Sequence, residues 1–119
     1  MSYDLAVWEG PRPSDDAVAV NVFDALRAAC MGQSIPPTDL IRQLVGDLVE
    51  RWPDLGQGDE EADDAIPWST GPLISEASGP LIYFGMVFSK YDQAAEFAVE
   101  RARALGHVCF DPQDWRLLT

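Results

Sequence analysis

Tyr3, Leu5 and Val7 share one side of an extended segment and Asp4, Ala6 and Trp8 share the other, which predicts a first strand over residues 3–8. Gly10-Pro11-Arg12-Pro13 ends it, because proline has no N–H to give to a ladder. Ser14 is then placed as an N-cap, with Asp15 and Asp16 in a first turn where the helix dipole favours negative charge. The helix is predicted over 15–31, with Val18, Val22, Leu26, Ala29 and Cys30 facing inward and Gly32 just past its end. After Pro36-Pro37, Thr38 serves as a second N-cap. Leu40, Ile41, Leu44, Val45, Leu48, Val49 and Trp52 then hold the three-and-four spacing of an amphipathic helix, the clearest periodic signal in the chain. Pro53 stops that helix at Trp52.

The second half returns to extended patterns. Gly71-Pro72-Leu73-Ile74 and Gly79-Pro80-Leu81-Ile82 read as two strand starts joined by a turn at 78–80, the first short and polar enough for an edge. Leu81 to Phe88 is apolar at nearly every position, so this strand is expected to be covered or paired on all sides, with Gly85 marking a bulge or the close approach of another backbone. Ser89-Lys90-Tyr91-Asp92 has the form of a capping box with Asp in the place of Glu. The next helix turns Tyr91, Ala94, Ala95, Ala98, Ala102 and Leu105 inward, and Gly106 closes it. Residues 107–111 form a last strand with Val108 and Phe110 on one side, and Trp115, Leu117 and Leu118 fold back onto the body. One helix aside, the order of elements is that of the split βαβ pattern. The expectation is one α+β domain over residues 1–119: a ferredoxin-like, four-stranded antiparallel sheet with three helices on one face, a different strand order being the competing layout.

Length and charge narrow the picture. At roughly 150 residues per domain, 119 residues make one domain. Eight basic against 20 acidic residues leave a formal net charge of −12, with a single lysine. Phosphate binding draws on clustered Lys and Arg, so nucleic acid and anionic membrane surfaces are poor partners. The longest apolar run, Leu81 to Phe88, is far below the roughly 20 residues a membrane helix needs. Cys30 and Cys109 are too few for a disulfide framework, no secretory leader is legible at the start, and a reducing cytoplasm fits. Asp59, Glu60, Glu61, Asp63 and Asp64 crowd five carboxylates into six residues, so a mobile acidic loop is expected over about 54–66.

The search for chemistry returns no catalytic set, no metal and no cofactor. His107 is the one histidine and no Cys-x-x-Cys is present, so multi-histidine and thiolate metal sites are excluded. No nucleophile elbow and no phosphate-cradling glycine loop occurs. His107 and Cys109, two apart on a strand, share a face, the one spacing that allows a cysteine nucleophile a basic partner, but a packed thiol and a structural histidine are the expected roles. Counting from Asp59 as a first calcium ligand puts Asp64 and Thr70 at positions six and twelve, which are the wrong residues. Asp4 and Glu9 flank Trp8, and Asp111 and Asp114 flank Trp115. If the first and last strands are neighbours these acids approach one another, and they are read as a polar rim rather than as paired glycosidase carboxylates.

Three segments carry a resemblance: Tyr3-Asp4-Leu5-Ala6-Val7-Trp8-Glu9, Gly79-Pro80-Leu81-Ile82-Tyr83-Phe84 and Gly106-His107-Val108-Cys109-Phe110-Asp111-Pro112-Gln113. They resemble segments of small cytoplasmic bacterial proteins, and the last is similar to the chain ends of immunity proteins from bacterial toxin systems. That resemblance implies a non-enzymatic, protein-binding role and carries over no catalytic residue. An anionic surface suits a basic protein partner. The candidate contact residues are Asp59, Glu60, Glu61, Asp63 and Asp64, with Trp68 and Trp8 as aromatic anchors. The alternatives are a small enzyme or ligand-binding domain with a pocket on the sheet face lined by Trp8, Tyr83 and His107, and a subunit that self-associates through an open sheet face.

Overall fold

The computed structural model describes residues 2–30, 32–33, 35–54, 66–69 and 71–119. They form an α+β domain built on one antiparallel sheet. Its strands are β1 (Ser2–Trp8), β2 (Ala77–Ser78), β3 (Leu81–Val87), β4 (Val108–Asp111) and β5 (Arg116–Leu117), in the spatial order β2-β3-β1-β4-β5. Among the described residues the α-helices are α1 (Asp16–Cys30), α2 (Asp39–Arg51) and α3 (Tyr91–Ala104). The long central pair is β1 with β3, in register from Ser2↔Val87 to Trp8↔Leu81, and β4 joins the other edge of β1 through Ala6↔Phe110 and Trp8↔Val108. The sheet therefore has five strands where four were expected, the fifth coming from the tail that was expected only to fold back.

The larger correction concerns the helices, which do not share one face. Alternation along β1 sends Leu5 and Val7 into a core with Ile82, Phe84, Met86 and Cys109, closed by Ile41, Leu44 and Leu48 of α2 and Ala94, Ala98 and Ala102 of α3. Ala6 and Trp8 point the other way, into a core with Leu81, Val108 and Phe110 that Ala19, Phe23 and Cys30 of α1 close. An apolar residue at almost every position of the central strands needs cover on both sides, and one helix is spent on the second side. The chain crosses between faces around the β2 edge. There the Ser78 hydroxyl donates to the Cys30 and Gln33 carbonyls at 2.8 and 3.0 Å. Gly79 N donates to Ile35 O and Thr38 N to Gly79 O, both at 3.1 Å. Gly79 sits at φ +56°, and a Cβ there would meet Ile35 Cγ2 at 3.3 Å, so both backbone hand and space call for glycine.

Local signals were read with mixed accuracy. Thr38 caps α2 through its Oγ1, which accepts from Ile41 N. For α1 the cap is Asp15 rather than Ser14, its carboxylate accepting from Val18 N at 2.8 Å. The buried stripe of α1 is Ala19, Phe23 and Cys30, one residue round from the expected face, and Val18 is exposed. Phe23 decides this rotation, because it fills the space between Trp8, Tyr83 and Phe110 with ring centroids 5.2–6.2 Å away. Lys90 precedes α3 without a side-chain cap, so the Ser89 capping box does not form. Leu73–Glu76 winds into a 3-10 turn, and only Ala77–Ser78 pair as a strand. Gly85 does mark a close backbone approach: Ser69 N donates to Gly85 O at 3.0 Å, beside a bridge between Trp68 and Met86.

Two substitutions on α1 test this arrangement. Phe23→Ala is expected to cost about 3–5 kcal/mol in urea unfolding. Val18→Ala, one face away, is expected to stay within about 0.5 kcal/mol. The opposite ranking would mean that α1 presents the face read from the sequence.

Candidate functional site

Both faces of the sheet are closed over β1, β3 and β4, so exposed chemistry gathers at the ends and edges. The end where β1 begins is the richest. Antiparallel pairing brings the start of β1, the end of β3 and the end of β4 together there. Asp111, only 1% exposed, is its hub. Its Oδ2 accepts from the Tyr3 hydroxyl at 2.8 Å. Its Oδ1 accepts from Gln113 N at 2.9 Å, Gln113 Nε2 at 2.6 Å and Asp114 N at 3.3 Å. A buried carboxylate needs such saturation. Gln113 Nε2 also donates to Asp4 O at 2.8 Å and its Oε1 accepts from Asp4 N, which ties the turn after β4 to β1.

Aromatic rings extend from this hub to the surface. Tyr3 stacks on Tyr91 with centroids 4.5 Å apart, and Tyr91 meets Phe88 at 5.2 Å. Phe88 is 49% exposed. Trp115, 51% exposed, touches Phe110 at 6.4 Å and holds φ at +53°. A bulky residue in the left-handed region costs about 1–3 kcal/mol and tends to mark function. Asp114 lies beside Trp115 and Asp92 beside Tyr91, both exposed.

Asp4 and Asp111 do come near each other, as neighbouring first and last strands required. Their carboxylates, however, take opposite faces of the sheet. Asp4 Oδ2 accepts from the Tyr83 hydroxyl at 3.3 Å on the α1 side, while Asp111 meets Tyr3 on the other. They cannot act as a facing pair. Glu9 is at the far end of β1, where its N–H donates to Pro80 O.

The aromatic anchors expected from the sequence are corrected. Trp8 and Trp68 are 1% and 0% exposed. Trp8 packs between Phe23 and Phe110, and its indole N–H has no protein partner. Trp68 fits edge-on against Trp52 and Phe84, and its Nε1 donates to Trp52 O at 2.8 Å. Both were misplaced for the same reason: a residue flanked by polar neighbours is buried here by what packs over it from far along the chain. Asp59, Glu60, Glu61, Asp63 and Asp64 lie outside the described residues, as does most of the acidic loop expected at 54–66. At its borders, Asp54 accepts from Leu73 N at 2.7 Å and Ile66 is buried.

Trp8, Tyr83 and His107 do not converge. Trp8 and Tyr83 pack on the α1 side, whereas His107 is buried against α2 with its Nε2 at 3.2 Å from Leu40 O. The Cys109 thiol is pushed up to about 12, first by burial and then by the Asp111 charge, and stays protonated at neutral pH. Among the described residues no group of three or more His, Cys, Asp or Glu side chains could hold a metal ion, and no helix is long and apolar enough to cross a membrane. What sequence reasoning missed is Tyr3, Phe88, Tyr91 and Gln113. Phe88 alone carried a signal, an aromatic at the last position of an apolar run. No family model matches the chain, and comparisons with curated proteins and with solved structures return no match.

Two outcomes follow. Trp68→Phe is expected to cost roughly 1 kcal/mol more than Trp8→Phe in urea unfolding, because only Trp68 loses a hydrogen bond. Equal costs would contradict the assignment of bonds. Burial also raises Tyr3 and Tyr83 above the ordinary tyrosine value of 10.0, helped by Asp111 and Asp4 respectively. All three groups, Cys109 included, keep their protons in the native state after the unfolded chain has lost them. Stability should therefore be insensitive to them below about pH 9 and fall progressively as pH rises through 9 to 12. Tyr3→Phe and Cys109→Ala should each flatten the fall, read from urea midpoints against pH.

Proposed function

We propose that this chain is a non-enzymatic protein-binding module that engages a basic partner through an anionic surface, a role of the immunity-protein kind. The observation that carries the reading is the pair of half-exposed aromatic side chains, Phe88 and Trp115, at one end of an acidic sheet. Large rings held in fixed positions bind at low entropic cost and are enriched at contact hot spots. Phe88 is braced by Tyr91 and Tyr3, and Trp115 is set by the turn that Asp111 organises. The described residues carry all eight basic side chains and 15 of the 20 acidic ones, so seven unmatched negative charges remain on them. That field steers a cationic partner toward the molecule, and the rings supply the short-range anchor. Asp59, Glu60, Glu61, Asp63 and Asp64 add to the same field through their charge alone.

Burial of both sheet faces favours this reading over a pocket on the sheet or self-association through it. So does the state of the polar side chains that could do chemistry. The Asp111 carboxylate is saturated, the Cys109 thiol is buried and protonated, and one nitrogen of His107 is held by a backbone carbonyl.

The test is capture from the native cell with tagged wild type, Phe88→Ser and Trp115→Gly. Trp115→Gly relieves the left-handed backbone, so it should fold at least as stably as wild type. A basic protein retained by wild type, released by salt and lost with both variants is the expected outcome. A partner that survives high salt and both substitutions, or turnover of a small molecule by the purified chain, would overturn the proposal.

A further inference from the structure

The clefts of this molecule differ in the charge of their walls. One between α2 and α3 is lined by Asp47 and Glu50 with Arg51 and Arg101, and Arg101 pairs with Asp47 at 2.9 Å. Another along α3 sets Glu96 and Glu100 against Arg103, and a third sets Asp92 against Lys90. A further one, about 440 Å³, lies beyond the end of α3; its lining includes Arg12, Arg103, His107 and the final residue, Thr119, and no acidic side chain. In a chain with 20 acidic residues and only eight basic ones, this segregation of charge stands out.

The basic groups are available and held. Among the described residues the only salt bridge is that of Arg101 with Asp47. Arg27 lies over Phe23 and Tyr83, Arg51 lies over Trp52, and Arg42 donates to Pro37 O. Among the described residues Arg12 and Arg103 make no such contact; both are exposed, and Arg103 stands between this cleft and the one it shares with Glu96 and Glu100. Arg12 sits in Gly10-Pro11-Arg12-Pro13, where each proline restricts the residue before it and Pro13 is itself buried. Arg103 and His107 are fixed by the end of α3. Gly106, at φ +78°, donates its N–H to Arg103 O at 3.1 Å, and His107 N donates to Ala102 O at 2.8 Å. These two bonds form a Schellman cap, and they occupy helix carbonyls that would otherwise offer lone pairs at this end. The His107 ring, 4% exposed, gives its Nε2–H to Leu40 O, so in the neutral ring Nδ1 is a lone-pair acceptor and the ring walls the cleft without donating to an anion.

We propose that this cleft is an oxyanion site, taking a phosphate or carboxylate group between the Arg12 and Arg103 guanidiniums. Guanidinium forks match the oxygens of either group, and two of them on braced backbone lose little entropy on binding. The site is independent of the aromatic rim, and its failure would leave the protein-binding reading untouched.

The experiment is a titration of the purified, isotope-labelled chain, followed by amide and imidazole NMR signals at constant ionic strength. Inorganic phosphate is one arm, acetate a second and chloride the control. The expected result is a saturable shift confined to Gly10, Arg12, Gly106 and His107, including the His107 ring nitrogens. Phosphate binding tighter than acetate would assign the site to phosphate groups, and the reverse order would assign it to carboxylates. Arg12→Gln and Arg103→Gln, both at exposed positions, should each weaken binding about tenfold without moving the unfolding midpoint. Shifts that do not saturate, that chloride reproduces, or that persist in both variants would overturn the proposal. So would guanidinium signals already locked onto a group of the chain itself and unmoved by added phosphate.

Discussion

The central strands of this protein are apolar on both sides, and most of the architecture follows from that. Leu5 and Val7 on one side of β1, and Ala6 and Trp8 on the other, are all buried to within 1%. At about 25 cal/mol per Å² of apolar surface, leaving either side to water would cost several kcal/mol in a domain whose net stability is of that order. The helices therefore divide, α2 and α3 to one side and α1 to the other. The connection between α1 and α2 has to round an edge of the sheet. Ser78 and Gly79 are the residues that hold it there.

Closing both faces leaves the ends of the sheet as the place where side chains meet solvent in a fixed arrangement. At one end a saturated carboxylate, Asp111, organises a turn and braces a tyrosine, and the rings beyond them stay exposed. At another, the cap of α3 and a proline-flanked loop bring two arginines and the histidine to one cleft. The two regions have opposite character. The rim is aromatic and acidic, in keeping with the overall charge, and the cleft is basic against it.

How much of this was legible in the sequence depended on whether the deciding contact was local. The α2 stripe apart from Leu40, which is exposed, its Thr38 cap, the Ala94-Ala98-Ala102 face of α3, the alternation of β1 and β4 and the role of Gly85 are set within a few residues, and they were read correctly. The side of the sheet chosen by α1 is not local. Val18 and Val22 advertise one face, but Phe23 is the ring that fits between Trp8, Tyr83 and Phe110, and the last of these lies 87 positions further along the chain. Trp8 and Trp68 looked free for the same reason. The rim escaped because Tyr3 reads as strand core until Asp111, 108 residues away, is seen to receive its hydroxyl. The fifth strand is two residues long, below what any pattern of alternation can signal.

Ring-proton contacts of Phe23 in solution test the two-sided sheet most directly. Nuclear Overhauser effects from Phe23 to Trp8, Tyr83 and Phe110, with none to Leu48, Phe84 or Ala98, are the predicted pattern. Effects from Phe23 to Leu48 or Ala98 would place α1 beside α2 and α3, leave one face of the sheet bare, and contradict the account at its foundation.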